Sequence, residues 1–447
     1  MNKNVNSQYH RCEYRHNNFL LHEHSNLKEF KHDGSNQCWM RETKKIEDKY
    51  FCAFHMPENH EDEECQKLQS LTLRELIEEW NADKEINVFL MFGMRCGEID
   101  FNGITFKSDA YFNESTFTGD TIFNKTIFSG SIHFGKSTFL RNPQFNKASF
   151  ANNAFFDNVK FIEGASFGEA TFYNNAIFFN AKFSQLTYFA ESIFRKDAMF
   201  SGAKFNGYAF FYRCLFKKIC AFESVAFNDV TNFNRTEIYI GPDMGRCSFK
   251  KAPSFHDVSM SQSVIFREAR FSDVISEDAA ANYRTLKVAM NKASNKIQEG
   301  VFYGLEQASL RNQPEAKFSF KLFSRLYEKS SNYGQSLTKP IRYFVSINTL
   351  FFFIYCCIKF PMTRIYEYVN SGLPNFGDNL SLVVSFIFSN IPSVFKIGSS
   401  TLVKDTFGDL SSFQQLLVSI LALSQSLISI TLITLFILAI RRIFKLN

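Results

Sequence analysis

The sequence predicts a mostly β chain: a solenoid wound at 22 residues per coil, with flanking α-helices and a C-terminal α-helical transmembrane region. Three observations predict it. Phenylalanine supplies 55 of the 447 residues and recurs on a fixed schedule. Asn, Ser, Gly, Lys and Glu fill the places between, as solvent-facing corners require. Beyond residue 340 the chain carries long uncharged apolar runs. With 45% hydrophobic residues, 9 Pro and 20 Gly, a disordered or collagen-like chain is excluded. The formal charge of +6 is mild for this length and does not point to nucleic acid.

From Phe101 onward Phe recurs at alternating steps of five and six: Phe101, Phe106, Phe112, Phe117, Phe123, Phe128, Phe134, Phe139, Phe145, Phe150, Phe156, Phe161, Phe167 and on to Phe271. Of 32 scheduled positions 29 are Phe, and the others are Ile238, Met244 and Met260. A helix cannot explain this, because at about 100° per residue a mean step of about 5.5 residues throws successive Phe onto opposite faces. A plain strand alternates every second residue and fails too. A coil with corners succeeds if each Phe points inward from a short side. A second small residue lies two places before many of them, as at Ala110, Ala148, Ala154, Ala165, Ala176, Ala198 and Ala209. Stacking a coil every 22 residues sets Phe106, Phe128 and Phe150 in one column, with neighbouring coils roughly 4.8 Å apart.

These features resemble the pentapeptide-repeat family, whose unit reads A-(D/N)-L/F-x-x. The resemblance implies a right-handed quadrilateral β-helix, here with 22 residues per coil instead of four fives, the extra residue being absorbed at corners. Such a rod is filled and offers no internal pocket. Gly130, Gly135, Lys136 and Ser137 satisfy the phosphate-loop pattern G-x-x-x-x-G-K-[ST], but Phe134 sits inside the match on the core schedule, so the match is read as coincidence. Between residues 101 and 271 there are 19 Lys/Arg and 14 Asp/Glu, which argues against a DNA-mimicking acidic surface. No nucleic acid is expected. No catalytic constellation is visible, and His133 and His256 are lone corner histidines, so an enzyme is not expected.

Seven of the nine His lie before residue 61, together with Cys12, Cys38 and Cys52. The run Tyr50-Phe51-Cys52-Ala53-Phe54-His55 resembles the short Cys/His knuckle that precedes the solenoid in some pentapeptide-repeat proteins. The resemblance implies Cys12, Cys38, Cys52 and His55 as ligands of a structural zinc. A polar tail with reduced thiols is the competing reading. No secretory signal is visible in the first 60 residues, which places the solenoid in the cytosol.

Five segments result: 1–65, Cys/His-rich; 66–100, a helix and solenoid cap, with Leu71, Leu73, Leu76, Ile77 and Trp80 on one face; 101–275, the solenoid; 276–340, a helical cap and connector; and 341–447, the membrane region. In the last, 343–358 and 413–440 are read as spans, and 380–395, broken by Pro392, as a re-entrant or interfacial piece. Lys317, Lys321, Arg325, Lys329, Lys339 and Arg342 precede the first span, and Arg441, Arg442 and Lys445 follow the second. The positive-inside rule then puts both termini and the solenoid in the cytoplasm, on an inner (plasma) membrane. Gln415, Ser419, Ala422, Gln425, Ser426 and Ser429 form a small, polar face of the second span, for pore lining or for helix packing. Span, short segment, span resembles two-helix channel subunits in layout. The expectation is a channel-like homo-oligomer whose solenoid senses or binds a protein partner; the alternative is a membrane-anchored scaffold.

Overall fold

The computed structural model describes residues 43–46, 49–52, 73, 77–78, 81–82, 88–260, 264–359, 376–391, 400–408 and 410–443. They form two compact units that meet in sequence between Thr285 and Leu286.

The first unit is a four-sided solenoid of about eight turns. Each coil contributes one strand, usually of two residues, to each of four parallel ladders. Face a holds Thr105–Phe106, Ile127–Phe128 and their successors; face b holds Asp109–Tyr111 and Ile132–His133; face c holds Thr116–Phe117 and Thr138–Phe139; face d holds Thr121–Ile122 and Thr187–Tyr188. Faces a, b and c are sheets of eight, seven and nine strands. Face d is interrupted, its pieces linked by bridges through Gln144. The register is 22 residues, Phe128 pairing with Phe106 on one side and Phe150 on the other.

The alternation of five and six has a local cause. On faces a and c the Phe is the second strand residue; on faces b and d it follows the strand. After each b or d Phe comes a tight turn whose second residue is left-handed: Glu114, Lys125, Lys136 and Lys147 have φ of 61°, 57°, 62° and 58°, and the series continues every eleven residues to Glu268. This conformation costs a non-glycine residue about 1–2 kcal/mol. Its amide is not wasted, since Glu114 N donates to Gly135 O at 2.9 Å and Lys125 N to Asn146 O at 2.8 Å in the next coil. The extra residue of the six-residue steps lies elsewhere, in the wider bends that follow faces a and c. Those bends bring coils so close that a Cβ on Gly130 would stand 2.3 Å from Asp109 N, so glycine is required there.

Phe106, Phe112, Phe117, Phe123, Phe128, Phe134, Phe139, Phe145, Phe150, Phe156, Phe161 and Phe167 are all buried, as the schedule requires. Within a column the rings stack: Phe150 and Phe172 lie 4.5 Å apart with planes 1° off parallel. The b and d columns meet edge to face across the interior, as Phe145 with Phe156 at 5.6 Å and 84°. Both geometries suit the aromatic quadrupole. Small polar residues at the second inward position are satisfied in place. Thr126 Oγ1 donates to Phe101 O at 2.8 Å and Ser192 Oγ to Phe167 O at 2.6 Å. Cys214 Sγ and Cys247 Sγ donate in the same way to Phe189 O and Phe222 O.

The winding begins at Val88, a little over half a coil before the Phe schedule starts at Phe101. In that coil Met91 and Cys96 occupy Phe places, and Cys96 pairs with Phe117 at an offset of 21, not 22. One missing residue and two substitutions hide the coil from a count of Phe. Leu73 and Ile77, both helical, are buried, and Asn81 Oδ1 accepts from Lys107 N at 3.0 Å on the first edge of face a. At the far end α1 (Ala279–Lys292) begins. Its Tyr283 hydroxyl donates to Asp273 O at 2.7 Å, and its Asn282 Nδ2 to Ala252 O at 3.1 Å. Open backbone groups are thereby covered at each end, as a stacked sheet needs.

The second unit is helical: α2 (Lys296–Asn312), α3 (Phe318–Ser331), α4 (Thr338–Lys359), α5 (Phe376–Asn390), α6 (Ser400–Phe407) and α7 (Ser412–Ile443). Asn295 caps α2, its side chain accepting from Gln298 N, and Asn332 ends α3 in a left-handed conformation. Phe351 and Tyr355 of α4, Val383 and Phe386 of α5, Phe407 of α6 and Ala422 of α7 share a core. α4 and α7 are long and apolar enough to cross a membrane, by length and composition. α5 has 15 residues, fewer than the roughly 20 that a span needs.

Candidate functional site

Since stacked rings fill the solenoid, whatever it recognises must meet its outer surface. Among the described residues, seven of the 19 basic residues between 101 and 271 form ion pairs, most of them with an acid one coil away. Lys136 meets Glu114 at 3.3 Å, Arg141 meets Glu163 at 2.8 Å, Lys147 meets Glu169 at 3.4 Å and Arg213 meets Glu191 at 3.2 Å, each pair one coil apart. The strands of face c instead set like charges side by side. Lys160, Lys182 and Lys204 are direct cross-strand partners, exposed, and make no ion pair among the described residues. Like charges placed opposite each other on neighbouring strands are destabilising, so the row raises the solenoid's energy until an anion meets it.

Around the corner, on face d of the same coils, lies an exposed apolar strip. Leu186 is 51% exposed, Tyr208 47% and Tyr188 43%, with Phe210 beside them. Tyr188 pairs with Phe210, and the Phe210 ring lies 6.1 Å from Tyr188 and 6.2 Å from Tyr208. Corner c/d thus joins a cationic row to an aromatic one. Neither was singled out from the sequence, although the 22-residue spacing of Lys160, Lys182 and Lys204 is legible once the period is known.

The phosphate-loop match is built into the coil. Lys136 is the left-handed turn residue, its Nζ is turned to Glu114, and Ser137 Oγ donates to Phe112 O. No helix follows, so this pattern cannot cradle a phosphate. His133 is not a solvated corner residue: it stacks between Tyr111 at 4.1 Å and Phe155 at 4.4 Å. His256 is held by Asn282 and Thr285 at 3.1 Å each. Of the zinc set, Cys12, Cys38 and His55 lie outside the described residues. Cys52 closes strand β2 (Lys49–Cys52), opposite Thr43 of β1 (Thr43–Ile46). Among the described residues no cluster of His, Cys, Asp or Glu could hold a metal.

The polar face of the second apolar run splits. Ala422, Gln425, Ser426 and Ser429 are buried inside one copy of the chain, whereas Gln415 and Ser419 are partly exposed. Gln425 Nε2 donates to Asn348 Oδ1 at 2.8 Å, Tyr355 Oη donates to Gln425 Oε1 at 3.2 Å, and Asn348 Nδ2 donates to Ser429 Oγ at 3.2 Å. Ser419 Oγ bonds back to Gln415 O at 2.9 Å. Four of the six residues are thus buried within the helical unit, and two of them, Gln425 and Ser429, bond to α4. The partners Asn348 and Tyr355 were missed. Asn348 carried a signal, being an amide in the middle of an apolar run.

Residues 101–143 and 169–215 match the family model described as pentapeptide repeats, in nine copies. The solenoid is a pentapeptide-repeat β-helix, the class that the Phe schedule and the 22-residue ladders define. No curated protein and no solved structure matches this chain.

Proposed function

We propose that the chain is a membrane-anchored, non-enzymatic interaction module whose solenoid docks an acidic protein segment at corner c/d. The observation that carries this is the unpaired row Lys160, Lys182, Lys204 beside the exposed strip of Leu186, Tyr188 and Tyr208. A segment alternating Asp or Glu with Leu would neutralise the row and cover the strip, and interfaces are rich in just such aromatic anchors. The test is fluorescence anisotropy of a labelled peptide of that pattern against the full chain in mild detergent. Lys182→Gln combined with Tyr208→Ala should weaken binding at least about tenfold, since exposed charge and aromatic contacts each contribute on the order of 1 kcal/mol. Equal binding by the variant would remove the proposal.

Anchoring by α4 and α7 is supported by their length and composition, and a cytoplasmic solenoid by the basic residues before α4 and at the end of α7. A channel-like homo-oligomer is the second reading, supported by the sequence of long helix α4, short apolar α5 and long helix α7. The anchor is preferred because two of the residues expected to line a pore, Gln425 and Ser429, bond to Asn348 and Tyr355 of the same chain. Planar-bilayer recordings separate the two: the anchor predicts silence across salts, and unitary currents altered by Gln425→Ala would establish the channel. A structural zinc on Cys12, Cys38, Cys52 and His55 is proposed on the resemblance of that segment. Elemental analysis of the full chain should give one equivalent, and less than about half would refute it.

A further inference from the structure

Helix α3 presents a face that water does not suit. Phe318 is 81% exposed, Phe323 67%, Leu326 53% and Leu322 45%. Lys321, Arg325 and Lys329 run alongside at steps of four and continue the phase of Lys317 just before the helix. None of these four cations forms an ion pair or side-chain hydrogen bond among the described residues. The one acid of α3, Glu328, is already engaged by Arg311. A helix with large exposed apolar side chains bordered by free lysines and arginine is built to lie in a membrane interface, its apolar face among acyl chains and its cations among headgroups. Only residues 332–337 separate it from α4.

The C-terminal end of the same face borders a trough of about 450 Å³ between α3, α4 and α7. Leu326, Lys329, Tyr343, Ile347, Leu427 and Leu432 are among the residues that line it. The lining is mostly apolar, with the Lys329 ammonium, the Tyr343 phenol and the hydroxyls of Ser330 and Thr431 as its polar groups. A free anion would gain nothing from such walls, and a neutral apolar molecule would gain nothing from the ammonium.

We propose that α3 and this trough hold an anionic phospholipid, its headgroup phosphate at Lys329 and Arg325 and one acyl chain along Ile347 and Leu427. The proposal rests on the reading of α4 and α7 as membrane spans and adds the lipid class and its site. Anionic headgroups attract each nearby lysine strongly enough for about a fivefold preference. The test reconstitutes the full chain into nanodiscs of equal phosphatidylglycerol and phosphatidylcholine and counts lipids retained per chain by native mass spectrometry. The expected result is at least about fivefold retention of phosphatidylglycerol over phosphatidylcholine, a ratio that Lys329→Gln lowers by about fivefold and Lys329→Gln with Arg325→Gln brings to near parity. Leu326→Gln should lower retention of both lipids. Excess inorganic phosphate should not displace the lipid. Equal retention of the two lipids by the unaltered chain, unchanged selectivity in Lys329→Gln, or displacement by phosphate would each overturn the site. Failure of the chain to enter nanodiscs at all would instead refute the membrane reading, so the two failures are distinguishable.

Discussion

Lys182 stands between Lys160 and Lys204 one coil away on either side, a row of like charge on directly paired strands. Replacing it by Glu turns two repulsions into two attractions. The solenoid should gain roughly 0.4–2 kcal/mol at 0.2–1 kcal/mol per cross-strand pair, read as a higher denaturation midpoint in low salt, while affinity for an acidic peptide falls. A variant that binds less tightly and is also less stable would contradict the assignment of the row to binding. Cys247 gives a residue-scale test of the interior. Burial pushes its thiol up from 9.0 to about 12, against a lowering hydrogen bond from Val225 N. At pH 8 the native thiol is protonated and shielded, so iodoacetamide should label Cys247 only after denaturation. Because the unfolded thiol ionises near 9 and the folded one near 12, stability falls as pH rises above about 9.

At the scale of the element, each coil is held by rings stacked on the coils above and below, and by carbonyls bonded one coil on. Phe178, flanked by Phe156 and Phe200 at 4.8 Å each, should cost about 3–5 kcal/mol when replaced by Ala. Gly130→Ala forces a methyl against the backbone of Asp109 and should destabilise comparably, whereas Lys125→Gly, at a left-handed turn, should not. In the second unit Asn348 joins α4 to Gln425 and Ser429 of α7. Asn348→Ala strands buried partners and should cost about 1–3 kcal/mol, measurable as earlier thermal unfolding in detergent.

Legibility in the sequence tracked how strictly physics repeats. A Phe every fifth or sixth residue admits one geometry, and all four columns from Phe101 to Phe271 could be read from spacing alone. The first coil could not, because Met91 and Cys96 fill ring places and one residue is missing before Ile99. Positive φ at Glu114, Lys136 and Glu191 was equally hidden, since these residues carry no glycine signal and owe their conformation to coil-to-coil hydrogen bonds. The partners of Gln425 were out of reach because they lie 70 and 77 residues away, a distance that no local period encodes.

For the whole molecule, a filled rod confines recognition to its skin, and under the proposed function the hold on a bilayer falls to the two helices long and apolar enough to cross one. On the proposals made above, these parts answer to different partners: corner c/d to an acidic protein segment, α3 and its trough to anionic lipid. Bilayer recordings should find no conductance, and lipid counts should depend on Lys329 but not on Lys182. The most direct measurement is flotation of liposomes carrying the reconstituted full chain, with the labelled acidic-apolar peptide in solution. The protein should float with the vesicles after carbonate washing and bring the peptide with it, and Lys182→Gln with Tyr208→Ala should float equally while losing at least about nine-tenths of the bound peptide. Protein left at the bottom of the gradient, or a variant that carries the peptide as well as the unaltered chain does, would contradict the account.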